Sequence, residues 1–203
     1  MPLTAIALNC TLKAEGDSST DAMIAVLADA LAHNDVTLTE TIRVAAQNVK
    51  FGVTSDEGDG DGWPAIRAKI LAADILIFGT PIWMGQMGSV AKVVLERMDA
   101  FLSETDDKGR MPSTGKVAVA AIVGNEDGAH IASAQMFQSL NDTGWTIPAS
   151  AACYWVGEAM HKTDFKDLPA TPGKVLETAA MTASNAAHLA RALKAANYPS
   201  VKS

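Results

Sequence analysis

Short apolar runs alternate along this chain with segments whose apolar residues recur at helical spacing, and no other feature narrows the fold as much. Residues 4–9, 75–78 and 116–123 are expected strands, apolar throughout from 5 to 8, 75 to 78 and 117 to 123. A strand reads this way when both faces of its sheet are covered, as in parallel sheets. Residues 36–44, loosely alternating, and part of 147–156 supply two more strands. Met23, Val26, Leu27, Ala30 and Leu31 mark a first helix. Further helices are expected over 63–73, with Pro64 at the tolerated first turn, over 90–102 and over 131–140. A last one is capped by Thr171-Pro172 and ends near Asn197, before Pro199. Strands and helices in alternation predict an α/β fold, a parallel sheet with helices on both faces. Right-handed crossovers reduce the topologies to a few doubly wound sheets.

With 203 residues, 48% of them apolar, the chain is long enough to bury roughly 70% of its unfolded surface in one core. No repeat or linker divides it, so a single domain over 1–203 is expected. A net charge of −7 argues against a nucleic-acid partner and offers no attraction to an anionic membrane. No apolar run approaches the ~18 residues of a membrane span. Met1-Pro2-Leu3-Thr4 lacks the basic and apolar regions of a secretion signal. Cys10 and Cys153 are too few for a disulfide framework, and reduced thiols in a cytoplasmic protein are the simpler expectation.

In a five-strand sheet of order 2-1-3-4-5, ligands sit beyond the carboxyl ends of the strands, where strands 1 and 3 diverge. The informative loops are then 9–20, 80–89 and 124–130. The first holds Thr11, Lys13, Ser18, Ser19 and Thr20 and runs into a helix N-terminus, which suits a phosphate. Taken alone, the same residues read more simply as a capping box, Ser18 with Asp21. There is no G-x-G-x-x-G and no nucleoside triphosphate loop. Cys10 as a phosphatase nucleophile would need an arginine six residues on, where Gly16 stands, so a packed thiol is the better reading. Residues 55–62 are acidic and glycine-rich; a calcium loop would need Glu where Ala68 stands, so a solvated loop without a metal is expected.

The second loop is the strongest signal. Gly79-Thr80-Pro81-Ile82-Trp83-Met84-Gly85-Gln86-Met87-Gly88-Ser89 puts apolar residues where a surface loop should be polar. It continues through Val90-Ala91-Lys92 to Glu96-Arg97-Met98-Asp99. This stretch resembles the second flavin loop of the flavodoxin-like NAD(P)H-dependent FMN reductases, and the likeness extends from about Leu3 to about Leu193. Two differences stand out: the first loop has Lys13 but no arginine, and Arg97-Met98-Asp99 reverses the usual Asp-Arg ending.

The resemblance implies a flavodoxin-like three-layer sandwich holding non-covalent FMN, with NADH or NADPH as electron donor. The phosphate would rest on Thr11, Lys13, Ser18, Ser19 and Thr20. The ring would lie along Pro81, Ile82, Trp83, Met84 and Gly85, bonded by backbone N–H groups there. Its pyrimidine edge would meet Gly124, Asn125, Glu126, Asp127 and Gly128. The flavin does the chemistry, so no residue is assigned a catalytic role. His130, the titratable group at the end of the third loop, is weighed as a proton donor against plain packing. Tyr154 and Trp155 are either core or, as in the family's dimers, placed across from a partner's ring, which implies a homodimer or homotetramer. The small-molecule acceptor would be a quinone, flavin, azo or nitro compound. A flavodoxin-type electron carrier and a flavin-free binding module remain alternatives on the same fold.

Overall fold

The computed structural model describes residues 2–202. In chain order the main elements are β1 (Leu3–Asn9), α1 (Ser19–Ala32), β2 (Val36–Arg43), α2 (Trp63–Ala72), β3 (Ile75–Trp83), β4 (Gln86–Met87) and α3 (Ser89–Met98). They are followed by β5 (Val117–Gly124), α4 (Ala129–Asp142), β6 (Ala152–Val156) and α5 (Gly173–Ala195). The parallel strands lie in the order β2-β1-β3-β5-β6. This is the expected doubly wound arrangement with one addition, the short β4, which pairs antiparallel with the end of β3.

The continuous apolar strands bury alternate residues on opposite faces. Ile6, Leu8, Leu76, Phe78, Ala118, Ala120 and Ile122 pack toward α2, α3 and α4, around Ile66, Val94, Met98 and Met136. Leu3, Ala5, Ala7, Ile75, Ile77, Val117 and Val119 pack toward α1 and α5, around Met23 and Leu27. Ala179, Ala183, Ala186, Ala187 and Ala190 give α5 a small-residue face on that side. Burying a single Leu, Ile or Val on either face is worth about 1.5–3 kcal/mol, so two-sided burial is what stabilises the central strands. Among the described residues no helix is long and apolar enough to cross a membrane. The last helix has Pro172 at its N-cap and no side-chain cap hydrogen bond, so Thr171 does not serve it as expected.

Two expectations are corrected. The second loop is not irregular. β3 runs on through Gly79, Thr80 and Pro81 to Trp83 and turns into β4 at Met84-Gly85. Both turn residues have positive φ, 54° and 73°, as a two-residue type I′ hairpin requires. A proline within a central strand would remove a ladder bond. However, β1 pairs with β3 only as far as Gly79, while β5 continues to Pro81. Pro81 therefore sits where β3 has become an edge strand.

The acidic loop is likewise not simply solvated. Asp61 and Arg97 form an ion pair at 2.7 Å, and both side chains are fully buried. Asp61 also accepts backbone N–H bonds from Lys50, Glu57 and Trp63. Arg97 also donates to the carbonyls of Thr54 and Lys50, at 3.0 and 2.9 Å, which pins the loop to α3. Burial alone would raise the Asp61 carboxyl. The Arg97 guanidinium and the backbone N–H groups outweigh it and hold the group well below the usual carboxylate range.

Candidate functional site

Asn9 ends β1, and its side chain organises the first loop. Its amide oxygen accepts the Thr11 N–H at 2.9 Å, and its amide nitrogen donates to Ser18 Oγ and to Asp21. Ser18 is the N-cap of α1, accepting the Asp21 N–H at 3.1 Å. The capping interaction is thus present. The Asp21 carboxylate, however, is taken by Asn9, the Ser18 hydroxyl and Arg43 rather than by the cap's own N–H. Arg43 reaches over from the end of β2 and also donates to the Gly16 carbonyl. The backbone N–H groups of Ser18, Ser19 and Thr20 have no protein partner among the described residues. They are the orphan donors that every helix start presents.

The hairpin forms the second wall. Gly88, the N-cap of α3, donates to Thr80 Oγ1 at 3.1 Å and to the Pro81 carbonyl at 3.0 Å, which holds the base of the hairpin. At the tip, the two oxygens of Glu126 accept the N–H groups of Met84 and Gly85, each at 3.1 Å. These N–H groups were expected to face a flavin ring; here the third loop takes them. Gly128 completes the junction: with φ 134°, its added Cβ would stand 2.5 Å from the Gly85 carbonyl oxygen.

The segment after β6 closes the remaining side. Gly157 and Met160 donate to the carbonyls of Gly124 and Asn125. Asn125 Nδ2 donates to His161 O at 3.0 Å and to Asp164 Oδ1 at 3.1 Å. Phe165 is buried, its ring 5.5 Å from that of Trp155. The Lys166 N–H reaches Ser19 Oγ at 3.3 Å.

These elements enclose a cavity of about 550 Å³. Thr11, Lys13, Ser18, Ser19 and Thr20 line one end; Pro81, Ile82, Trp83 and Met84 form an apolar wall; Gly124, Asn125 and Glu126 lie along the third side. Gly85, Asp127 and Gly128 are not on the lining; they shape the turn and loop behind it. His130 and Tyr154 also lie off the lining, with His130 Nε2 3.0 Å from the Tyr154 hydroxyl. Trp155 lines the cleft of its own chain. Sequence reasoning missed Leu12, Asp17, Val123, Met160, Asp164, Phe165 and Lys166. The signal for several of them was the irregular stretch 158–169, just past the carboxyl end of a strand. Cys10 is fully buried, and burial pushes its thiol far above the ordinary range; Cys153 is pushed up to about 12. Neither is a nucleophile as folded.

The residues fit a 5′-phosphorylated flavin. Unpartnered N–H groups and hydroxyls occupy one end of the cavity, and exposed apolar side chains, Trp83 and Met84, border the other. The volume is in the ordinary range for a cofactor cleft. A second, larger groove of about 910 Å³ shares Leu12, Trp83 and Met84 with it and runs between α3 and α4.

Comparison with known proteins identifies the family. The family described as NADPH-dependent FMN reductase matches residues 3–161. A protein of Streptomyces davaonensis named 8-demethyl-8-aminoriboflavin-5′-phosphate synthase is 32% identical over 168 residues, covering 78% of this chain and 65% of that protein. A protein of Mycobacterium bovis named divalent metal cation transporter MntH is 34% identical over 162 residues, 77% of this chain and 24% of that protein. The chain therefore spans about a quarter of one relative and just under two thirds of the other. The crystal structure of RosB with bound 8-demethyl-8-formylriboflavin-5′-phosphate superposes with a TM-score of 0.85 at 29% identity, covering 97% of this chain and 82% of that one.

Proposed function

The chain belongs to the NADPH-dependent FMN reductase family, and from that premise we propose that it binds FMN in the cleft between α1, the β3–β4 hairpin and the third loop. There it would take electrons from NADH or NADPH and pass them to a small-molecule acceptor, a quinone, flavin, azo or nitro compound. The observation that carries this reading is the single cavity that joins a phosphate-type end to an apolar wall.

When bound, FMN supplies the hydride and electron chemistry. The protein's residues bind and orient it. The N–H groups of Ser18, Ser19 and Thr20, with the Thr11, Ser19 and Thr20 hydroxyls, receive the phosphate; the Ser18 hydroxyl remains with the cap. Pro81 and Ile82, rigid in the extended β3, form a flat apolar wall. Trp83 is 55% exposed and sits beside the acceptor space, where it can offer an aromatic face. Glu126 keeps the hairpin tip in register. The reading includes a soluble cytoplasmic protein and a homodimer or homotetramer. The groove of about 910 Å³ beside the cleft, with its exposed Trp83 and Met84, supports the assembly.

The test is an anaerobic visible spectrum of the protein with FMN, before and after NADH or NADPH. Bleaching of bound flavin within seconds to minutes is expected. Bleaching by dithionite alone would replace the reductase with an electron carrier, and no retained flavin would leave a binding module.

A second reading rests on the similarity to RosB, which covers nearly the whole chain. There the phosphorylated flavin would be the reactant rather than the cofactor. Mass analysis of the flavin recovered after turnover separates the two: an unchanged mass supports the reductase, and an altered mass the second reading.

A further inference from the structure

Resting on the flavin reading of the cleft, we infer that Lys166 is the cation that selects a phosphorylated flavin over its unphosphorylated form. The first loop has no arginine to meet a phosphate dianion, and the carboxylates of Asp17, Asp21, Asp164 and Asp167 lie around the same end of the cavity. Three cations stand against them. Arg43 is held by Asp21 and the Gly16 carbonyl and lies off the cleft lining. Lys13 is exposed and has no protein partner that would fix it in place among the described residues. Lys166 is exposed as well, but unlike Arg43 it lines the cleft, and unlike Lys13 it has a partner that fixes its ammonium, Asp167.

The segment that carries it is anchored at three successive residues. Asp164 accepts from Asn125, Phe165 is buried against Trp155, and the Lys166 N–H binds the hydroxyl of Ser19, the first residue of α1. The backbone of Lys166 is thereby held at the helix start that presents the unpartnered N–H groups. It lines both the cleft and the adjoining cavity of about 330 Å³ that runs along Asp17, Ser18 and Arg43. Its partner in this structure is the neighbouring Asp167, at 2.7 and 2.8 Å. That pair is solvent-accessible and sequence-adjacent, so exchanging it for a dianion costs little. Asp167 first, then Asp164 and Asp17, hold the ammonium above its ordinary pKa.

The experiment measures FMN and riboflavin dissociation constants for the wild type, Lys166→Ala, Lys166→Glu and Lys13→Ala. A lost charge-assisted bond corresponds to a loss of roughly 10- to 100-fold. The expected result for Lys166→Ala is FMN binding weakened by that factor, riboflavin binding within about twofold of wild type, and a flatter salt dependence of FMN binding. Lys166→Glu is expected to weaken FMN further, and Lys13→Ala to weaken it less than Lys166→Ala does. Equal weakening of both flavins would show a structural role and overturn the inference, as would unchanged FMN binding in Lys166→Ala. A wild type that binds riboflavin as tightly as FMN would overturn the inference while leaving the flavin reading standing. A wild type that binds neither overturns both.

Discussion

Replacing Arg97 by methionine tests whether a fully buried ion pair latches residues 50–62 to the body of the protein. The substitution keeps an apolar stem of similar length within α3 but removes the guanidinium. It leaves the Asp61 carboxylate without its counter-charge and the Thr54 and Lys50 carbonyls without their donors. Breaking one half of a buried pair costs about 3–5 kcal/mol. The three backbone N–H groups that still serve Asp61 place the expectation at the lower end, about 3 kcal/mol. For a chain of this size that lowers Tm by roughly 6–12 °C. The pH dependence gives a second handle. The carboxyl of Asp61 is depressed in the folded wild type, so its contribution is complete above the unfolded value near ~3.9 and is lost as pH falls through the lower folded value. In Arg97→Met the unpaired carboxyl takes up a proton at higher pH, so the stability deficit narrows as pH falls below about 4. Urea denaturation at pH 7 and pH 3.5 measures both effects. Adding Asp61→Asn to Arg97→Met should recover about 1–3 kcal/mol at pH 7, because no charge is then stranded. A single variant within ~2 °C of wild type, or a deficit that does not shrink in acid, would refute the reasoning.

Three further outcomes follow from the site. Ser18→Ala removes the N-cap acceptor of α1 and should lower stability by about 1 kcal/mol in chemical denaturation, with weaker FMN retention. Gly128→Ala forces a Cβ against the Gly85 carbonyl at a positive φ, so a loss of about 1–3 kcal/mol is expected, with faster amide exchange at Met84 and Gly85. Ellman's reagent at pH 8 should find neither Cys10 nor Cys153 in the folded protein and both after denaturation, because burial holds both thiols protonated.

The layered architecture was legible because short continuous apolar runs bounded by turn residues read as strands covered on both sides, and the helical spacings between them were regular. The three ligand loops followed from the strand order, and the structure gathers most of their named residues around one cavity. What escaped had non-local causes. The β3–β4 hairpin was hidden because Gly79, Thr80 and Pro81 carry turn chemistry, while their pairing with β5 is tertiary. Asp61 looked like one more exposed acid, since its partner lies on a different element far along the chain. Phe165 and Lys166 sit in a stretch with no periodicity, and only the folding of that segment over the start of α1 brings them to the cleft.

The hairpin tip sets stability against contact surface. Met84 holds φ 54° without being glycine or asparagine, and its side chain is 88% exposed. A left-handed conformation disfavours such a residue by roughly 1–2 kcal/mol. Asparagine or glycine at this position would relax the backbone and cap a better hairpin, yet would erase the apolar prong that borders both the cleft and the neighbouring groove. Because the turn projects beyond the sheet and is fastened by Gly88 at its base and Glu126 at its tip, Trp83 and Met84 can vary in size and shape without disturbing a core residue. The end of the central strand is thus an adjustable fitting on a fixed frame, the place where a change in the shape of a bound ligand would be met with few compensating changes elsewhere.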